Sequence, residues 1–285
     1  MRSFSIAAAV AVSTIAFAQA ASAADLPVKT RAVPVTAPYT WTGFYVGGNV
    51  GGGWGSQDIK GYTPNDPAML GWFRAFGPPP SVSLNASSAL GGLQLGYNWQ
   101  FRRNWLVSLE ADLDWSDFEG SGAVNSIFGG GGNVPFQVTA DERVKWFGTV
   151  RARLGYLPIE SLLAYITGGF AFGRVQHDAT YVNTSGNTFI SISVPYSFRC
   201  TPGQTCFAGS LSGTATGWTL GGGLEYALGQ SWTLRGEYLY VSLGSKSVTE
   251  TASTVFAAGN LPASFNVDFS RTNFNVARIA LNYRF

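Results

Sequence analysis

Few side chains in this 285-residue chain are equipped for covalent chemistry: one is histidine and two are cysteine. His177 stands beside Asp178, and an imidazole held by a carboxylate activates a hydroxyl that lies within reach. The dipeptide fixes no such hydroxyl. The competing reading is a polar residue at the rim where a strand leaves an apolar layer. His177, Tyr181 and Tyr196 are also residue types that ligate haem iron. Cys200 and Cys206 bracket a Pro-Gly turn in CTPGQTC, which suits a disulfide closing an exposed loop, and no third ligand lies near enough for a metal site. The glycine runs GGNVGGGWG and FGGGGNV lack the Lys-Ser/Thr and the helix that a phosphate loop needs.

The larger ionisable set is organised by parity. In NWLVSLEADLDWSDF (104–118), Trp105, Val107, Leu109, Ala111, Leu113 and Trp115 share one parity, while Glu110, Asp112 and Asp114 share the other. At 100° per residue a helix would scatter the apolar set around its cylinder, so the segment reads as a strand. In DERVKWFGTVRARLGY (141–156), Val144, Trp146, Val150, Ala152 and Leu154 alternate with Arg143, Lys145, Arg151 and Arg153. Folding the two as a hairpin brings Glu110 near Arg151 and Asp114 near Lys145. The same reasoning pairs Glu225 with Arg235 across the 228–231 turn, and Glu237 with Arg278 on the last strand. Charges of both signs on one face call for an enclosed, ion-paired interior; the alternative is a water channel that they line.

The elements that would position them are strands. Eight strand-like stretches span about 41–54, 86–101, 104–118, 141–157, 162–176, 214–228, 231–246 and 270–285. Connections alternate between a few residues (102–104, 157–161, 228–231) and long Gly-, Ser-, Asn- and Pro-rich loops. Charged residues are 12% of the chain, against about 25% in soluble domains, and aromatics reach 14%. The formal charge is +2 without a Lys/Arg run, which argues against nucleic acid as a partner. Residues 1–23 have one Arg, an uncharged apolar run and Ala21-Ser22-Ala23, the layout of a signal peptide. Residues 24–40, with three prolines, read as an extended periplasmic leader. Beyond the signal peptide no apolar run is long enough for a membrane helix.

Together these features predict an all-β fold over 41–285: an eight-stranded antiparallel transmembrane β-barrel with short periplasmic turns and long extracellular loops. Apolar faces meet lipid, and aromatics such as Trp105, Trp115, Trp146 and Tyr156 form girdles. Reversing the 104–118 strand would put three acids into hydrocarbon. Eight strands leave an interior just wide enough for side chains to fill.

WTGFYVGGNVGGGWG (41–55), LGYNWQF (95–101), RGEYLYVSLG (235–244), the terminal RIALNYRF and the leader AADLPVK resemble the OmpA-like outer-membrane β-barrel family. The similarity is nearest to its alphaproteobacterial small surface antigens and haemin-binding, porin-like proteins, and it covers the mature chain. The resemblance implies residence in the cell outer membrane among lipid and lipopolysaccharide. It also implies insertion by the outer-membrane assembly machinery, with Tyr283 and Phe285 in the sorting signal and no peptidoglycan-binding domain after the barrel. The expected role is structural and surface-exposed, without enzyme activity or resident cofactor. A narrow diffusion porin and a haemin binder are the alternatives, and a lipid-modifying enzyme built on His177 stands behind them. For haemin the family offers no motif that could be carried onto these residues.

Overall fold

A computed structural model describes residues 39–128 and 134–285. The expected signal peptide, the leader up to Pro38 and the glycines at 129–132 lie outside the described residues. The elements in chain order are β1 (Gly43–Pro64), a helix α1 (Pro67–Phe76), β2 (Ser83–Arg102), β3 (Trp105–Phe128), β4 (Val134–Ile159) and β5 (Leu162–Asn183). Then follow β6 (Phe189–Ser193), β7 (Tyr196–Cys200), β8 (Thr205–Ala227), β9 (Trp232–Leu243), β10 (Ser247–Ala252), β11 (Leu261–Pro262), β12 (Ser264–Phe269) and β13 (Asn273–Arg284).

Antiparallel ladders run β2–β3–β4–β5–β8–β9–β13–β1, and β1 also pairs with β2 along Gly43–Asp58. Every one of these eight long strands is therefore bonded on both edges, which leaves no open edge to aggregate. The sheet holds ten strands because β10 and β12 carry it on beyond the ends of β9 and β13, between β8 and β1. A separate three-stranded sheet, β11-β7-β6, lies in the long 184–262 region. Glycine permits the closest approaches: a Cβ on Gly51 would run into the Ala277 carbonyl, and one on Gly217 into that of Ser242.

Several strands outrun their expected limits. β3 and β4 have 24 and 26 residues, more than twice the roughly 9–11 that cross a bilayer. The region read as loop at 55–85 instead continues β1, then forms α1. Asp66 caps that helix, its carboxylate accepting from the Met69 amide at 3.0 Å, and Pro67 opens its first turn.

Lys145 is corrected by the structure. The ladder registers shift between Trp115 and Phe118 on β3–β4, and between Val144 and Trp146 on β4–β5. At that irregularity β4 changes parity: Phe147, Thr149, Arg151 and Arg153 point inward, but so do Val144 and Glu142, while Lys145 and Arg143 are exposed. Lys145 therefore makes no ion pair with Asp114, and Val144 does not face outward.

Candidate functional site

The interior is layered along its axis. At the short-turn end, Trp41, Leu106, Leu157, Leu163 and Tyr165 form an apolar stopper. Its Trp41 indole N–H donates to the Glu160 carbonyl at 2.9 Å, and the Arg284 guanidinium stacks 4.7 Å from the Tyr39 ring.

Above the stopper sit five carboxylates and four guanidiniums, none more than 6% exposed. Arg151 bonds Glu110 at 2.5 Å, Asp112 at 2.8 Å and Glu237 at 2.9 Å. Arg153 joins Glu110 at 3.1 Å to Glu225 at 2.8 Å. Arg235 joins the same two acids, reaching Glu225 at 3.1 Å. Arg278 takes Asp114 at 2.7 Å, Glu237 at 2.7 Å and Asp112 at 3.3 Å. The Glu110–Arg151, Glu225–Arg235 and Glu237–Arg278 pairs thus occur, but as parts of one network; Asp114 takes Arg278 where Lys145 was expected.

Sequence reasoning missed the neutral members that complete this network. Tyr45 donates to Glu110 and accepts from Arg153, and Tyr165 donates to Glu237 at 2.8 Å. Thr149 donates to Asp112 at 2.6 Å, while Thr233 and Asn282 both donate to Glu225. For Thr149, Thr233 and Asn282 the signal was parity, since each shares the inward face of its strand with one of the charged residues; Tyr45 and Tyr165 stand on strands that carry none of the nine. Such donors satisfy the carboxylate lone pairs that an ion pair alone leaves open.

Next comes an apolar belt that includes Leu90, Phe118, Phe147, Val175, Leu239 and Phe274. Beyond it the strands enclose a second core with Ile59, Phe136, Tyr181, Phe207, Val248 and Phe265, lidded by Met69 and Trp72 of α1. Cys200 and Cys206 are disulfide-bonded, their Cα atoms 5.2 Å apart, and both are buried within this core rather than on an exposed loop.

His177 is corrected too. It is not a rim residue but lies inside, 1% exposed, stacked on Phe269 at 4.5 Å with no hydrogen bond to either nitrogen. Burial lowers its pKa to about 4. Glu142, its partner across the β4–β5 ladder, is raised by burial to about 7, opposed by the Thr272 hydroxyl that donates to it at 2.6 Å. Glu250, fully enclosed, is raised to about 8 by burial and then by Asp178. Among the described residues no hydroxyl or thiol is hydrogen-bonded to the His177 imidazole. Neither His177 nor Tyr181, also 1% exposed, offers a donor atom to an external haem iron; Tyr196 is half-buried.

Comparison with known proteins matches the model of the outer membrane protein beta-barrel domain to residues 5–285. The chain belongs to that family. The 31 kDa outer-membrane immunogenic proteins of Brucella melitensis and Brucella suis are each 32% identical to it over 280 residues, covering 94% of this chain and 95% of theirs. Among solved structures it is similar to OprG of Pseudomonas aeruginosa (TM-score 0.42, 13% identity, 87% of this chain and 97% of that one). It is also similar to Ail of Yersinia pestis (TM-score 0.35, 14% identity, 86% and 99%). Those scores are too low to inform function.

As an outer-membrane barrel protein, the chain turns its exposed apolar residues toward lipid. Val50 is 68% and Ile279 59% exposed. Aromatic pairs bound this band: Trp105–Tyr156 and Trp232–Tyr283 at the short-turn edge, Trp146–Phe172 and Trp218–Tyr240 at the other. From Trp105 to Trp115 the strand rises about 33 Å, or about 25 Å along the axis at the usual tilt, the height of an outer-membrane apolar band. The ion-paired network lies within that band, and the second core stands above it in water.

Proposed function

We propose that this outer-membrane protein is a non-enzymatic, closed cylinder of eight staves, the last two each in two segments (β9 with β10, β12 with β13). Short turns face the periplasm, and the long connections build a folded, surface-exposed cap. Its role is to reinforce the envelope and to present that cap to the exterior. One observation carries the reading: the interior at bilayer height is filled by nine mutually paired charged side chains, with apolar layers above and below. Water and ions have no continuous route past side chains so placed. The surface role also draws support from the two Brucella relatives, whose names describe an outer-membrane immunogenic protein.

Planar bilayers test the reading directly. Purified, refolded protein should add no conductance above the bare membrane. Steady steps proportional to salt concentration would instead establish the narrow diffusion porin.

A further inference from the structure

The small sheet of the cap ends on an open strand. β6 is bonded to β7 along one edge, and among the described residues no strand pairs with the other. On β7 the Ser197 carbonyl accepts from the Ala263 N–H at 3.0 Å and the Arg199 N–H donates to Thr254 at 3.1 Å, both away from β6. Successive residues of a strand turn their N–H and C=O to opposite edges, so Tyr196, Phe198 and Cys200 bond β6 through Ser193, Ser191 and Phe189. Ile190 and Ile192 therefore direct theirs to the open edge, where among the described residues nothing meets them. Their side chains are 42% and 49% exposed, because α1 covers the opposite face, where Ser191 donates to the Ala68 carbonyl at 3.1 Å. Exposed Val194, Phe256 and Leu261 extend the apolar surface. Nothing blunts this edge: β6 reads FISIS, without charge, proline or bulge. Across 184–204 and 253–262 the one charged residue is Arg199. It is exposed, opposite Ile190 in the ladder, and makes no ion pair among the described residues.

An open row of backbone donors and acceptors selects its occupant, since another extended chain places N–H and C=O at the matching spacing. An apolar, acid-free surface standing in water favours a chain whose alternate side chains are apolar. The isolated guanidinium adds a preference of charge. Two strand spacings, about 9.6 Å, separate β7 from an added strand, a span that arginine and glutamate side chains bridge over Ile190. We propose that β6 is a docking edge for an extended segment of another polypeptide, which joins the sheet as its fourth strand. The segment packs alternate apolar residues on Ile190 and Ile192 and sets a carboxylate against Arg199. The docking edge belongs to the surface-exposed cap and rests on that reading; peptide binding and bilayer conductance are separate measurements, so either fails alone.

The test titrates refolded full-length protein in lipid vesicles with a short fluorescent peptide of alternating valine and threonine, one valine replaced by glutamate, and reads anisotropy. Wild type should bind it. Methylating every second backbone nitrogen of the peptide should weaken binding roughly tenfold or more in one phase, which faces β6, and leave it unchanged in the other. Ile192→Pro removes an N–H that points away from the β6–β7 ladder, and should weaken binding to a similar degree. Arg199→Glu should reverse the charge preference, taking the peptide with lysine in place of glutamate, a reversal that an unfolded cap does not produce. Equal effects of the two methylation phases, or unchanged binding by Ile192→Pro, would overturn strand addition. Failure of Arg199→Glu to reverse the preference would overturn the acidic partner. Peptide-displaceable dimers of the wild type in chemical cross-linking would show a second copy on this edge, and would overturn a foreign segment as its occupant.

Discussion

Arg278→Met is the most discriminating change to the interior. Arg278 serves three acids, but unequally. Asp112 and Glu237 each keep Arg151, at 2.8 and 2.9 Å, when it is lost. Asp114 keeps no cation: among the described residues Arg278 is the one within ion-pair reach, and the other Asp114 oxygen already lacks a hydrogen bond. Leaving one carboxylate uncompensated in a dry interior costs about 3–5 kcal/mol. Arg151→Met also removes three contacts, yet Glu110 retains Arg153 and Arg235, and Asp112 and Glu237 retain Arg278. It should therefore cost less. The decisive variant is the double, Arg278→Met/Asp114→Asn, which removes the stranded charge and should recover about half of the loss or more. Urea titrations of refolded protein in lipid vesicles, read by the mobility of unboiled samples on gels, give the three midpoints. The reasoning fails if Arg278→Met is no worse than Arg151→Met, or if Asp114→Asn in the Arg278→Met background restores nothing.

The extracellular cap should lose stability as pH rises from about 4.5 to 8, most steeply between about 6.5 and 7. Glu142 and Glu250 are raised from 4.5 to about 7 and 8, so the unfolded chain ionises first: their contribution is complete below about pH 4.5, falls as pH rises, and is gone once pH passes those raised values. His177, lowered from 6.5 to about 4, acts oppositely but only below pH 6.5. Glu250→Gln should flatten most of the fall in thermal midpoint over that interval; an undiminished slope would contradict this. Replacing Cys200 and Cys206 by serine reopens a short loop, worth about 2 kcal/mol of chain entropy, and should hasten protease nicking of the cap while leaving the heat-modifiable mobility intact. Trp72→Ala removes the ring that α1 packs 5.1 Å from Phe198, and should cost the cap about 3–5 kcal/mol, visible as faster hydrogen exchange in β7 and α1.

Parity made the bilayer-spanning part of this protein legible because one rule governs it: charged residues inside, apolar residues outside. Nine of the eleven charged residues expected in the interior lie there, and the other two, Arg143 and Lys145, mark where the rule ends. A strand longer than the bilayer passes from lipid into water, and there its apolar side must move from the outer wall to the inner. The chain achieves this in two ways. β3 keeps its alternation and exchanges residue types: inward, Asp114 and Ser116 give way to Phe118, while outward, Trp115 gives way to Asp117 and Glu119. β4 keeps its residue types and shifts its register at Lys145, so that Val144 and Val138 face inward. The first device was visible in the sequence, since Phe118 breaks the acidic parity of its own strand. The second was not, because a shifted register leaves no residue out of place in a one-strand reading. The cap eluded sequence reasoning for a related reason: its core is assembled from α1 and from parts of β1, β2, β4, β5, β7, β8, β10 and β12, each of which supplies only a few residues to it. The crossover also fixes the bilayer's outer boundary without appeal to the aromatics. It falls at Asp117 on β3 and Lys145 on β4, next to Trp115 and Trp146, so two independent physical criteria place the edge of the hydrocarbon at the same level of the wall.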